Sequence, residues 1–174
     1  SAPTGFDRLN LYTAPAGPHV AHIRRCSSEP QPTMLGVHLG QAASTPTFVR
    51  AVQALKIECP TQYHDYIQSL GAISRHACTA WAAHDIDGLM QCRAQNNSTL
   101  SALGDLADVG IVPSSLEALN RRLKPLDSIA KTTGAGGGDM AWVICRDPAH
   151  ARVIEQQLSD NWSVYRLSPS PVTE

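Results

Sequence analysis

The stretch "AKTTGAGGGDMAW", residues 130–142, holds four of the chain's glycines between positions 134 and 138 and then turns apolar. Each glycine costs about 0.5–1 kcal/mol of conformational entropy relative to alanine, so a cluster of them requires a structural or functional reason. A β-hairpin turn needs about two to five residues with one or two glycines. We therefore predict a loop between two strands whose backbone approaches a ligand or a partner domain closely.

Strand-like segments lie on both sides of this loop and near the two ends of the chain. Short apolar or alternating runs bounded by proline, serine and glycine are typical of strands. They predict strands at residues 18–25, 33–39, 128–133, 140–146 and 162–168.

Helical spacing of apolar residues dominates the middle of the chain. It predicts two long helices, covering about residues 63–81 and 86–107, that pair as an antiparallel hairpin. A shorter helix follows, for which Ser114 and Glu117 match a capping box. The middle of the chain is therefore predicted to be a helical insertion between strands.

Two more helices complete the pattern. One is predicted to begin with Thr45 as N-cap and Pro46 at the first helical position, and the other is capped by Asp147. Without the helical insertion, the order is strand, helix, strand, strand, helix, strand, which is the split βαβ, ferredoxin-like plan. We predict an α+β fold with an antiparallel sheet. Because the glycine loop joins two strands, it differs from a P-loop or Rossmann turn, which leads from a strand into a helix.

Composition and charge narrow the class of protein. The chain has 174 residues, a formal net charge of −1 and 17% charged residues, which disfavours binding to nucleic acid or to an anionic membrane. No apolar run approaches the length of about 18 residues that a membrane span needs, and no signal peptide is recognised at the N-terminus. The five cysteines form no CxxC pair, which favours free thiols over a metal site. We expect a soluble, cytoplasmic protein without a bound structural metal.

Two segments resemble the GHMP family of small-molecule kinases, which includes galactokinase, homoserine kinase, mevalonate kinase and phosphomevalonate kinase. Residues 131–139, "KTTGAGGGD", resemble the third, C-terminal motif of that family and are most similar to the motif of phosphomevalonate kinases. Residues 39–49, "LGQAASTPTFV", resemble the "TGxxASTxxLV" stretch of the same enzymes. The resemblance covers roughly residues 33–168.

The resemblance implies a two-domain kinase of which this chain is the C-terminal half. Residues 1–32 would be strands and a loop that link to the missing half, and residues 33–174 the GHMP kinase C-terminal domain. In the family, the N-terminal half carries a "PxxxGLGSSA" phosphate loop, which this chain lacks, together with the catalytic aspartate and lysine. The implied reaction transfers the γ-phosphoryl group of ATP, with Mg²⁺, to phosphomevalonate in the mevalonate pathway of isoprenoid synthesis. We expect the isolated chain to be inactive, with no catalytic residue of its own, and ATP and Mg²⁺ to be bound mainly by the missing half.

The candidate residues for binding substrate or phosphate lie in the two matching segments. A helix N-terminus and exposed loop amides both bind anions, and a lysine adds charge. The candidates are Ser44, Thr45, Lys131, Thr133, Gly134, Ala135, Gly136, Gly137, Gly138 and Asp139.

Structural roles compete with binding at three of these positions. Thr45 is equally explained as an N-cap and Lys131 as a solvated lysine at a strand end, whereas Asp139 is better explained as a turn residue. Leu39 and Gln41 stand where phosphomevalonate kinases have a hydroxyl and a charged side chain. That difference weakens recognition of an anionic acceptor at these two positions.

An alternative function from another class is a non-catalytic ferredoxin-like module for binding or assembly. The module would bind another chain or a regulatory ligand, whereas the partners of the kinase half would be a phosphorylated small molecule and an N-terminal kinase domain. An apolar face left bare where that domain should pack would drive self-association into a homo-oligomer. We also expect Gly136→Val to impair ligand or domain engagement far more than folding, if the glycines serve a binding surface.

Overall fold

The strands form two antiparallel sheets. A computed structural model describes residues 9–13, 22–26, 32–40, 44–134 and 136–167. A two-stranded sheet pairs β1 with β2, and a four-stranded sheet has the order β4-β5-β3-β6, antiparallel throughout. The strands are β1 (Leu9–Thr13), β2 (His22–Cys26), β3 (Thr33–His38), β4 (Ala130–Thr132), β5 (Met140–Cys145) and β6 (Val164–Leu167).

Five α-helices lie within the described residues. None of them combines the length and the apolarity that crossing a membrane requires. The helices are α1 (Thr45–Glu58), α2 (Pro60–Ala82), α3 (Ile86–Leu106), α4 (Ser114–Leu123) and α5 (Pro148–Leu158), with a 3-10 turn at Lys124–Leu126.

The predicted α+β, ferredoxin-like plan is confirmed. β3, β4, β5 and β6 serve as its four strands, α5 is its second helix, and the segment from α1 to α4 fills the place of the first. The two long helices α2 and α3 pack against each other across a three-residue connection, which confirms the predicted helical hairpin. Residues 18–21 and 168 of the predicted strands lie outside the described residues.

The four-stranded sheet is covered on both faces. Alternate residues of a strand point to opposite faces, and β5 follows this rule: Ala141 and Val143 join a core with α4 and α5, while Ile144 joins a core with α2 and α3. Leu116, Leu119 and Leu123 of α4 and Ile154 and Leu158 of α5 are fully buried in the first core. The inserted hairpin therefore acts as a second covering layer of the sheet.

Two of the three predicted helix starts differ in detail from the structure. Asp147 caps α5 as predicted, since its carboxylate accepts a hydrogen bond of 2.7 Å from the His150 N–H. The N-cap of α1 is Ser44, one residue before the predicted Thr45. The predicted capping box is wrong: the N-cap of α4 is Pro113, whose extended backbone makes Ser114 the first helical residue, too late to cap.

The outer edge of β4 is closed by asparagine side chains. Asn120 of α4 accepts from the Ala130 N–H at 2.7 Å and donates to the Ala130 carbonyl at 3.3 Å, as a neighbouring strand would. Asn97 of α3 donates to the same carbonyl at 2.8 Å. Because Ala130 is fully buried, these amides supply hydrogen bonds that water does not reach.

We expect Asn120→Ala to lower the free energy of unfolding by about 1–3 kcal/mol, because it leaves the buried Ala130 N–H without an acceptor. Urea denaturation measures the change. Arg121→Ala, at an exposed position of the same helix, is the control and should shift stability by about 0.5 kcal/mol or less. Equal stability of the two variants would contradict the role assigned to Asn120.

Candidate functional site

The two segments that resemble the kinase motifs meet at one end of the four-stranded sheet. The glycine loop connects Thr132 at the end of β4 to Met140 at the start of β5. His38 at the end of β3 pairs with Met140, and the Leu39 N–H donates to the Asp139 carbonyl at 2.5 Å. The segment after β3 and the last residue of the loop therefore lie side by side. Residues 41–43 and Ala135 lie outside the described residues.

The backbone of the glycine loop explains most of its composition. Three of its glycines adopt positive φ angles, namely Gly134 at +66°, Gly136 at +91° and Gly137 at +54°. Side chains other than glycine rarely adopt this conformation. At the base of the loop, the Thr133 N–H donates to the Met140 carbonyl at 2.9 Å, which continues the pairing of β4 and β5.

Gly136 makes the close backbone approach that the sequence predicted, but its neighbour belongs to the same chain. A Cβ atom at Gly136 would lie 2.5 Å from the carbonyl oxygen of Ile111 and 2.6 Å from its Cγ2 atom. The Gly137 N–H donates to that same carbonyl at 2.6 Å. Ile111 is in the connection between α3 and α4, so this half of the loop is buried against the fold itself. The expectation that Gly136→Val would spare folding is therefore corrected.

The other half of the loop is open. Thr133, Gly134 and Asp139 are exposed, and no atom lies within 4 Å of the place where a Gly134 Cβ would be. The Thr133 hydroxyl donates to the Met140 carbonyl at 3.3 Å, which leaves its oxygen free to accept. We call Thr133, Gly134 and Asp139 the open shoulder of the loop. It is the part of the described loop that a ligand can reach.

Lys131 differs from a solvated strand-end lysine. It stands directly opposite Trp142 in the pairing of β4 with β5, is half-buried, and its Nζ donates to the Thr132 carbonyl at 3.2 Å. Burial lowers the pKa of Lys131, and the nearby charge of Arg93 lowers it further. The ammonium is therefore partly removed from water and close to a second positive charge.

Arg93 of α3 is a functional candidate that the sequence analysis missed. Its guanidinium lies 3.6 Å from the centroid of the Trp142 ring, and its Nη1 donates to the Trp142 carbonyl at 2.8 Å. The side chain is 6% exposed. Burial lowers the pKa of Arg93 to about 9, so the group still carries its charge at pH 7. The sequence does contain a sign of this role: Arg93 lies four positions after the buried Leu89, which puts a charged residue on the inward face of the helix.

The N-terminus of α1 presents the two remaining candidates. Ser44 and Thr45 are exposed, and the Ser44 hydroxyl is hydrogen-bonded to that of Thr47 at 2.8 Å. The N–H groups of Thr47 and Phe48 both donate to the Ser44 carbonyl. Because the proline at the second helical position has no N–H, Thr45 supplies the free amide of this first turn. Leu39 is buried in the core at 8% exposure and belongs to the packing of the fold.

The polar groups at this end of the sheet are of both signs. Loop amides, hydroxyls and the ammonium of Lys131 are donors of the kind that bind anions, and the exposed Asp139 adds a carboxylate. Over the ranges that the structure describes, no three His, Cys, Asp or Glu side chains converge as metal ligands would.

The fold of this chain is similar to that of several solved structures, although its sequence is not similar enough to match a known family. In sequence, the chain matches no protein-family model and no curated protein. In structure, it is similar to the Lin0012 protein of Listeria innocua, with 24% identity, a TM-score of 0.74, and coverage of 85% of this chain and 41% of that one. It is also similar to L. major mevalonate kinase in complex with R-mevalonate, with 20% identity, a TM-score of 0.74, and coverage of 95% and 50%. The fold is that of a GHMP kinase C-terminal domain.

A third structure with the GHMP fold is Streptococcus pneumoniae phosphomevalonate kinase in complex with phosphomevalonate and AMPPNP. It shares 16% identity and a TM-score of 0.69 with this chain, and the match covers 84% of this chain and 43% of that one. The chain thus spans half or less of the length of each of these three structures. At these identities the similarity establishes the fold of the described chain.

Proposed function

We propose that this chain is the C-terminal, substrate-side domain of an ATP-dependent small-molecule kinase that resembles phosphomevalonate kinase. The reaction is phosphomevalonate and ATP to diphosphomevalonate and ADP, in the mevalonate pathway of isoprenoid synthesis. The observation that carries the proposal is the hydrogen bond between the Leu39 N–H and the Asp139 carbonyl, which joins the two kinase-like segments at one end of a ferredoxin-like sheet.

The chemistry of the site supports a positioning role. Phosphoryl transfer depends mainly on orientation and on stabilisation of charge, so a domain contributes to it without supplying a base. In the proposal, the open shoulder at Thr133 and Gly134 contacts the acceptor, and Lys131 adds positive charge beside it. Ser44 and Thr45 contribute hydroxyls and the first-turn amide from α1. The buried glycines Gly136 and Gly137 hold the loop in place against Ile111.

ATP and Mg²⁺ are assigned to a second domain in this proposal. ATP supplies the γ-phosphoryl group and Mg²⁺ neutralises its charge. No three His, Cys, Asp or Glu side chains converge among the described residues, and Mg²⁺ is usually held by one or two carboxylates together with the phosphates, so the cation would be bound with ATP in the second domain. The proposed partner is an N-terminal kinase domain, and the matched solved kinases are about twice as long as this chain.

We expect the purified 174-residue chain to show no turnover with ATP and either mevalonate or phosphomevalonate. We expect the same chain, extended by the N-terminal domain of its own gene, to form diphosphomevalonate and ADP. A coupled ADP assay measures both, with mass spectrometry of the product. Turnover by the short chain free of contaminating kinase, or an inactive extended protein that binds ATP, would count against the proposal.

A non-catalytic binding or assembly module is the second candidate function. It is favoured by exposed apolar side chains on α1 and α2, where Ile57 is 86% exposed and Val49 and Ile67 are each 43% exposed. Such residues are typical of a surface that another domain or a second copy covers. An extended protein that is folded, self-associates and lacks turnover would support this function in place of the kinase.

A further inference from the structure

Arg93 and Asn96 are three positions apart on α3, and Arg93 packs on the face of the sheet that carries Trp142 and, directly opposite it, Lys131. We infer that these three side chains form a binding site for the phosphate group of a small phosphorylated molecule. The inference rests on the proposed function only through Lys131, which belongs both to the proposed kinase site and to this phosphate site. It adds two residues of α3 that the kinase-like segments do not contain.

The placement of the two cations follows from the sheet and from α3. Lys131 and Trp142 are directly opposite each other on paired strands, so their side chains share the face that α3 covers. Arg93 reaches this face from α3, stacks on the Trp142 ring at 3.6 Å and bonds the Trp142 carbonyl at 2.8 Å. The guanidinium and the ammonium therefore flank the same tryptophan.

These two positive charges are not neutralised within the described ranges. The ion pairs there are those of Arg146 with two aspartates and of Arg166 with Glu155, and neither Arg93 nor Lys131 takes part. A guanidinium has five N–H donors, and the described residues supply a hydrogen-bond acceptor to one of them, through the Trp142 carbonyl. Burying a charge without a counter-charge is costly, and a bound anion would remove that cost.

Asn96 provides an independent observation at the same place. It follows Arg93 by three positions on α3, which puts the two side chains next to each other on the helix surface. Its Oδ1 atom is buried and has no hydrogen-bond partner in the described part of the chain. The oxygen and the nitrogen of an asparagine amide are told apart only by their hydrogen bonds, and a half-turn of the amide exchanges them. In the turned orientation, the nitrogen takes the place of Oδ1 and donates to a bound anion.

A ligand can approach from the side of the glycine loop. Lys131 is half-buried and lies two residues before the exposed Thr133 of the open shoulder, whereas Asn97 and Asn120 close the β4 edge at Ala130. A phosphate ester carries up to two negative charges, which match the guanidinium and the ammonium, whereas a carboxylate carries one. The planar guanidinium also pairs with phosphate through two parallel N–H donors. A phosphate group therefore fits the site better than a carboxylate.

The test measures binding of inorganic phosphate and of glycerol 3-phosphate to the 174-residue chain by isothermal titration calorimetry at constant ionic strength. We expect Arg93→Met and Lys131→Met each to weaken binding by about tenfold or more, which corresponds to about 1.4 kcal/mol. Arg166→Met is the matched control, because Arg166 is an exposed arginine at the opposite edge of the sheet, and it should bind like the wild type. Tighter binding of glycerol 3-phosphate identifies a phosphate ester as the ligand, and equal binding identifies free phosphate.

A second readout separates binding at this site from general attraction of anions. Because the pKa of Lys131 is lowered in the free chain, a bound phosphate should raise it again, so binding at alkaline pH should take up protons. Titrations in two buffers of different ionisation enthalpy measure this uptake, which should be absent in Lys131→Met. If Arg93→Met does not fold, Lys131→Met decides the result.

The inference is overturned if the wild type binds neither compound at millimolar concentration, or if Arg93→Met and Lys131→Met, both folded, bind as the wild type does. Neither measurement uses ATP or turnover. A chain that binds phosphate while the extended protein is inactive would remove the kinase proposal and keep this site. An active extended protein whose C-terminal chain binds no phosphate would keep the kinase proposal and remove this site.

Discussion

Gly136→Ala should lower the free energy of unfolding by about 3–5 kcal/mol, enough to unfold much of a marginally stable domain. Two physical effects add. An alanine at φ +91° is strained, and its Cβ would sit 2.5 Å from the carbonyl oxygen of Ile111, a backbone atom that cannot turn away. The displacement would also break the hydrogen bond from the Gly137 N–H to that carbonyl. Thermal and urea unfolding followed by circular dichroism measure the loss.

Gly134→Ala is the matched control for Gly136→Ala. Gly134 has a similar positive φ of +66°, but no atom lies within 4 Å of its Cβ position. We expect it to cost only the backbone strain, about 1–2 kcal/mol. If the two variants are equally stable, the contact with Ile111 does not explain why glycine stands at position 136.

Lys131→Met should lower kcat/KM of the extended, two-domain protein by about 100-fold, or about 2.7 kcal/mol, if the kinase proposal is right. The substitution removes a half-buried positive charge beside the acceptor and keeps an apolar side chain of similar length. Removing this desolvated ammonium also relieves repulsion with Arg93, so the folded state should be no less stable. Steady-state kinetics with phosphomevalonate, together with an unfolding midpoint, separate the two effects.

Lys124→Met serves as the control for Lys131→Met, since Lys124 is an exposed lysine in the 3-10 turn. It should leave both kcat/KM and stability near the wild-type values. A Lys131→Met protein that retains kcat/KM within about twofold would show that the ammonium has no part in transfer.

Local patterns in the sequence were sufficient to predict most of the elements. The continuous apolar run at residues 140–145 is typical of a buried strand, and β5 indeed contributes Val143 to one core and Ile144 to the other. Asp147 was recognised as a cap because Pro148 follows it at the first helical position, and its carboxylate indeed accepts from the His150 N–H. Ser114 failed as a cap because the extended backbone that a cap requires belongs to Pro113, one residue earlier.

For the candidate site, the sequence predicted the glycine loop but not the residues that it contacts. The glycine loop and its tight approach to another backbone were recognisable, since only glycine provides both the positive φ and the missing side chain. The identity of the neighbour was not recognisable. Ile111 meets Gly136 through the packing of the α3–α4 connection, and Arg93 meets Trp142 across 49 positions of the chain.

The sequence by itself determined the ferredoxin-like order of strands and helices and the position of the glycine loop, because periodicity, caps and turns act over a few neighbouring residues. The tertiary structure alone decided that Gly136 is buried against Ile111 and Gly134 open, and that Arg93 and Lys131 lie on one face of the sheet. These contacts join residues far apart in the chain. They are fixed by how α3 crosses β4 and β5, because a helix can pack on a sheet in several registers and only the assembled core selects one.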